Sequence, residues 1–135
     1  MEISARVRNG AGAHQASVTT GGSSHAVAIA AKPTGPGSVV NGGELLMLAL
    51  ATCYCNDLYR EAARLSVPVT SVEIEARADF NGVGLGAANV RYRARIESPA
   101  TDAEIEALLD RTDAVAEVHN TLRAGVQVRR EPWQR

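Results

Sequence analysis

The chain has 135 residues, with 14 Lys plus Arg against 15 Asp plus Glu and no basic cluster. That length suits one core in one domain and leaves no room for two, and the balanced charge excludes an electrostatic footprint for nucleic acid. Met1-Glu2-Ile3-Ser4 has no basic flank or long apolar segment of a leader, and no apolar run reaches the roughly 18 residues of a membrane span, so a soluble cytoplasmic protein is expected.

Ile3-Ser4-Ala5-Arg6-Val7-Arg8 alternates apolar and polar residues as a half-buried strand does, and Asn9-Gly10-Ala11-Gly12 breaks it. Gln15 to Thr20 and His25 to Lys32 read as two more strands joined at Gly21-Gly22-Ser23-Ser24, giving an N-terminal meander. From Lys32 to Gly43 runs a loop with Pro33, Pro36 and four glycines.

Glu44 then opens a helix predicted to reach Leu65, and its first three turns are apolar on every side. Such a helix must be buried all round, which a small domain achieves most simply with a partner subunit. Asn56, Asp57, Arg60, Glu61 and Arg64 make its second half amphipathic and are expected at its polar surface. Both cysteines of the chain, Cys53 and Cys55, lie in this helix. Two residues apart they point about 200° from one another, so no disulfide joins them and both are expected as reduced thiols.

Beyond Pro68, Ser71 to Ala78 and Val90 to Ile96 alternate charged with aliphatic or aromatic residues, and Asn81-Gly82-Val83-Gly84-Leu85-Gly86 joins them as antiparallel strands with one wet face. Thr101 or Asp102 caps a second helix through about Leu109, with Glu104 placed as in a capping box. Asp113 to Leu122 reads as a further helical turn or two, and Ala124 to Arg129 as a last strand.

Gly43-Glu44-Leu45-Leu46, followed by an Ala/Leu run into Cys53, resembles the "P-x-E-L-L…A-x-x-C" helix of the OsmC/Ohr family of osmotically induced and organic-hydroperoxide-resistance proteins. Asn120-Thr121-Leu122 resembles the end of that family's "C-P-x-S-N-T-L" segment, with Ala116 where two-cysteine members carry the resolving cysteine and His119 where they have serine. The resemblance implies an α+β fold, with antiparallel sheets around a buried central helix in an intertwined homodimer whose sites lie at the subunit interface. It implies no cofactor and no metal, and it makes Cys53 the thiol that attacks peroxide. With no cysteine outside the helix, the family's disulfide between helix and C-terminal segment cannot form.

A reactive thiol needs its thiolate, and burial opposes that unless a cation or hydrogen bond offsets it. Cys53 is too far along the helix for the N-terminal dipole to help, so the candidates are Arg123, His119, His14 and Arg6. Glu44, nine residues earlier, lies on nearly the opposite face of the same helix. It either assists a thiol site from a partner subunit or simply stabilises the helix N-terminus. Three readings stay open: a one-cysteine thiol peroxidase recycled by an external thiol reductant, a non-catalytic dimer holding a small lipophilic ligand at its interface, and a purely structural or partner-binding domain.

Overall fold

The computed structural model describes residues 1–133. By contacts the chain forms two compact units, Met1–Leu45 and Leu46–Arg135. The first is an antiparallel sheet in the order β1-β2-β3, from β1 (Ile3–Gly10), β2 (Ala13–Thr20) and β3 (Ser23–Val27). Thr20 pairs with Ser23 across Gly21 and Gly22, whose φ values of 54° and 84° are those a tight hairpin turn of matching twist requires. The third strand ends at Val27, short of the predicted Lys32. Residues 28–41 instead fold back on themselves, with Ala31 bridged to Ser38 and Val39 N–H donating to Ala30 O at 2.9 Å. The Asn9 side chain both donates to and accepts from the Gly37 backbone, at 3.2 and 3.0 Å, and so ties this loop to the first hairpin.

In the second unit α1 (Gly42–Leu65) packs against the hairpin of β4 (Ser71–Asp79) and β5 (Ala88–Glu97) and against α2 (Asp102–Val115). Tyr54, Leu58, Ala62, Leu108 and Ala116 form the core, and Val72, Ile74, Tyr92, Ala94 and Ile96 pack on it from the inner face of the hairpin. Fully burying a side chain such as Leu58 contributes about 1.5–3 kcal/mol. On the outer face the register sets Glu73 opposite Arg95 and Glu75 opposite Arg93, and both pairs form ion pairs.

The helix ends are legible in their hydrogen bonds. Asn41 and Glu44 cap α1 reciprocally: Glu44 N–H donates to Asn41 Oδ1 at 2.9 Å and Asn41 N–H to Glu44 Oε2 at 2.8 Å. Its C-terminus closes with Val67 N–H donating to Ala62 O and Ser66 N–H to Ala63 O, a Schellman arrangement that forces Ser66 to φ 55°. Thr101 caps α2 with Glu104 in the predicted box.

The chain by itself leaves the apolar first half of α1 open, with Leu48 59% exposed, and most of its buried stripe lies in the second half. Two expectations are corrected. Asp57 and Glu61, expected at the surface, are buried. Glu61 accepts bonds from Arg60, Arg64 and Arg111 at 3.2 to 3.4 Å, the compensation a buried carboxylate needs. Finally, Ala124 to Arg129 is no strand. It begins as the last residue of α3 (Glu117–Ala124), is stopped by Gly125 at φ 63°, and leaves Val126 and Val128 exposed without sheet partners among the described residues.

Candidate functional site

Cys53 lies midway along α1, and Asp57, four residues on, shares its face of the helix. The thiol donates to Asp57 Oδ2 at 3.4 Å, and Asp57 is buried, with Arg60 Nη1 2.7 Å from its other oxygen. Helix α3 brings a second carboxylate from its first turn: Glu117 Oε2 lies 4.0 Å from Cys53 Sγ. One sulfur and two carboxylates thus stand within 4.8 Å of one another, a donor set with the spacing of metal ligands.

The electrostatics are those of a guarded thiol. Burial, above all, raises the Cys53 pKa above the ordinary 9.0; the Val118 backbone N–H opposes the rise, and the charges of Asp57 and Glu117 reinforce it. Asp57 is itself raised, chiefly by burial. Glu117 is held low, first by its own backbone N–H at the helix start.

Two of the cations expected at the sulfur, Arg123 and His119, are engaged elsewhere. Arg123 Nη2 bonds Asp113 Oδ1 at 2.7 Å, and its Nη1 donates to Asn120 Oδ1 at 3.1 Å. Asp113 also accepts the Tyr92 hydroxyl, so Arg123 belongs to a network joining β5, α2 and α3. His119 is 4% exposed and packs on the rings of Tyr54 and Tyr92, with centroids 5.6 and 4.6 Å away. Neither of its ring nitrogens has a hydrogen-bond partner among the described residues, and burial, followed by Arg123, lowers its pKa below 6.5. Within this unit the groups that bond Cys53 Sγ are the Asp57 and Glu117 carboxylates, and neither Arg123 nor His119 does.

Glu44, His14 and Arg6 belong to the N-terminal unit. Glu44 is occupied by the helix cap, His14 Nδ1 lies 3.1 Å from the Asn9 amide, and Arg6 stands on β1 opposite Ser17. Cys55 is half-buried, and both cysteines are free. Ala116, at the position of the family's second cysteine, is fully buried in the core, and its neighbour Glu117 reaches toward the sulfur instead. The sequence reading missed Asp57 and Glu117 as neighbours of the thiol. The four-residue spacing of Cys53 and Asp57 was a visible signal for the first; nothing local in the sequence signals the second.

The family model for OsmC-like protein matches residues 35–131. No curated protein matches the chain. Among solved structures, the chain is similar to an OsmC-like protein from Mycoplasma pneumoniae, at 18% identity, TM-score 0.64, and coverage of 90% of this chain and 86% of that one. An organic hydroperoxide resistance protein from Elizabethkingia anophelis matches at 18% identity and TM-score 0.62, over 91% of this chain and 89% of its own. Its counterpart from Legionella pneumophila matches at 17% and 0.60, over 91% and 90%. At these identities the likeness is one of fold, an α+β arrangement of antiparallel sheets and helices. Together with a family match running from the loop before α1 to the segment beyond α3, it establishes that the chain belongs to the OsmC-like protein family.

Proposed function

We propose that the protein reduces hydroperoxides, organic ones among them, through the single thiol of Cys53, with Asp57 as its proton acceptor. The observation that carries this reading is the Cys53 thiol at 3.4 Å from the buried Asp57 carboxylate, on the helix of an OsmC-like domain. Relatives of similar fold are described as organic hydroperoxide resistance proteins, which supports the substrate class.

In this mechanism Cys53 Sγ attacks one peroxide oxygen and the O–O bond breaks. The thiol proton passes to Asp57 and from there to the departing alkoxide, leaving a sulfenic acid and an alcohol. An external thiol attacks the sulfenic sulfur, releasing water and forming a mixed disulfide. A second external thiol then frees Cys53 and carries off the disulfide. Arg60, bonded to the far oxygen of Asp57, fixes the direction of the acceptor.

The working unit in this reading is a homodimer, supported by the exposed apolar first half of α1. The test is consumption of an organic hydroperoxide with a dithiol present, alongside intact-mass detection of the sulfenic acid. Turnover is expected in wild type and Cys55→Ser and absent in Cys53→Ser. Turnover unchanged in Cys53→Ser, or lost in Cys55→Ser, sinks the assignment. A second reading, a dimer that binds a lipophilic molecule without turnover, is favoured by one observation: two carboxylates bond the thiol, and the Arg123 guanidinium is bonded to Asp113 instead. It predicts wild-type reactivity no greater than that of a free thiol.

A further inference from the structure

The second unit holds a cavity of 460 Å³ that the thiol chemistry leaves unused; Cys53, Asp57 and Glu117 do not line it. The volume is that of a small-molecule site. Leu50, Val90 and Leu122 supply an apolar wall, and His119 lines the cavity beside Tyr92. That imidazole is 4% exposed, and both its nitrogens lack a hydrogen-bond partner among the described residues. Leaving such a group unsatisfied is costly, and a polar atom of a ligand would relieve that cost. Arg91 and Arg123 complete the lining. Arg123 is held in place by Asp113, whereas the Arg91 guanidinium turns to the outer face of the hairpin, where it bonds the Asn89 carbonyl at 2.8 Å with Asp79 3.9 Å away.

We propose that this cavity binds a small carboxylate with a hydrocarbon body. The carboxylate faces Arg123, one oxygen takes a hydrogen bond from a ring N–H of His119, and the hydrocarbon lies on Leu50, Val90 and Leu122. Guanidinium groups present several N–H donors suited to a planar carboxylate, and they repel organic cations. A wholly apolar ligand would fill the volume but leave the imidazole unpaired. A highly charged or sugar-like ligand would desolvate its polar groups against the aliphatic wall. The three requirements together select an amphiphilic anion. The site stands independently of the peroxide reading, since it shares no residue with the thiol cluster.

The probe is phenylacetate, titrated into the full chain by calorimetry, with phenylethanol as its uncharged analogue and the imidazole nitrogen NMR signals followed in parallel. Saturable phenylacetate binding with Kd near or below about 1 mM is expected. The alcohol should bind at least roughly tenfold more weakly, as should Arg123→Gln toward phenylacetate, on the scale of one lost charged hydrogen bond. The His119 ring signals should move on binding, which a merely structural histidine would not show. Cys53→Ser should bind as wild type does, so failure of the peroxide reading leaves this result untouched. The Arg123 side chain is 49% exposed, so its variant tests the site even where His119→Gln fails to fold. Equal affinity for acid and alcohol, no saturation at about 1 mM, unmoved His119 signals, or loss of binding in Cys53→Ser would each overturn the proposal.

Discussion

At the scale of the residue, the thiol of Cys53 is governed by what it faces. Replacing Asp57 with Asn removes a nearby negative charge and a proton acceptor together. Alkylation of the thiol is therefore expected to titrate at lower pH in Asp57→Asn than in wild type, while hydroperoxide turnover at neutral pH falls; an alkylation profile that stays put or moves up would show the carboxylate is not what restrains the thiol. His119 carries a second pH effect. Its folded pKa is below 6.5, so in the window under 6.5 the unfolded chain binds the proton more readily, and stability falls as pH falls. Thermal melts should show that loss in wild type and a flatter acid limb in His119→Gln. Cys53 itself was readable from the sequence because a motif marks it. Its carboxylate neighbours were not, because a polar residue on a helix reads as surface until the packing of α3 is known.

At the scale of the element, local rules carried far. The Thr101–Glu104 box, the outer and inner faces of β4 and β5, and the extent of α1 all follow from nearest-neighbour chemistry, and the structure agrees with them. The C-terminal stretch broke the pattern: Val126 and Val128 alternate as strand residues do, yet no strand edge receives them among the described residues, and alternation without a partner leaves a segment unpaired. Two substitutions test the caps. Thr101→Ala should cost about 1 kcal/mol of unfolding free energy, since it removes the acceptor for the Glu104 N–H. Ser66→Gly should instead stabilise by about 0.5–1 kcal/mol, because Ser66 holds a left-handed φ that glycine adopts freely. Denaturant unfolding monitored by circular dichroism measures both, and a destabilised Ser66→Gly would mean the Schellman turn is not strained at that residue.

At the scale of the whole molecule, the first half of α1 sets the expectation. Leu48 at 59% exposure is costly on a lone chain, and a second copy that covers it would account for an apolar helix opening on Asn41. Sedimentation should find a dimer, and Leu48→Glu should shift it toward monomer without loss of helix content. A wild-type monomer would count against the paired working unit. The sequence reading gave the covering of this half to a partner subunit, and the chain by itself leaves it open. What it left unread is the burial of the second half, with Asp57 and Glu61, because hydrophobicity says that a surface must be covered and not which surface covers it.

The charged ladder outside the hairpin has a consequence for how the hairpin finds its alignment. A slip of two residues one way would face Glu73 with Glu97 and Arg77 with Arg93, so like charges reject it. The opposite slip faces Glu73 with Arg93 and Glu75 with Arg91, and it keeps apolar residues on the inner face, with Ile74 opposite Tyr92. Hydrophobicity does not distinguish that arrangement from the native one, and charge even favours it, since the native register sets Arg77 opposite Arg91. The choice falls to the irregularity between Arg77 and Asp79 and to the turn beyond it. The correct alignment of these strands is thus decided at the loop, and a shortened loop would trap a misaligned hairpin whose ion pairs look entirely satisfied.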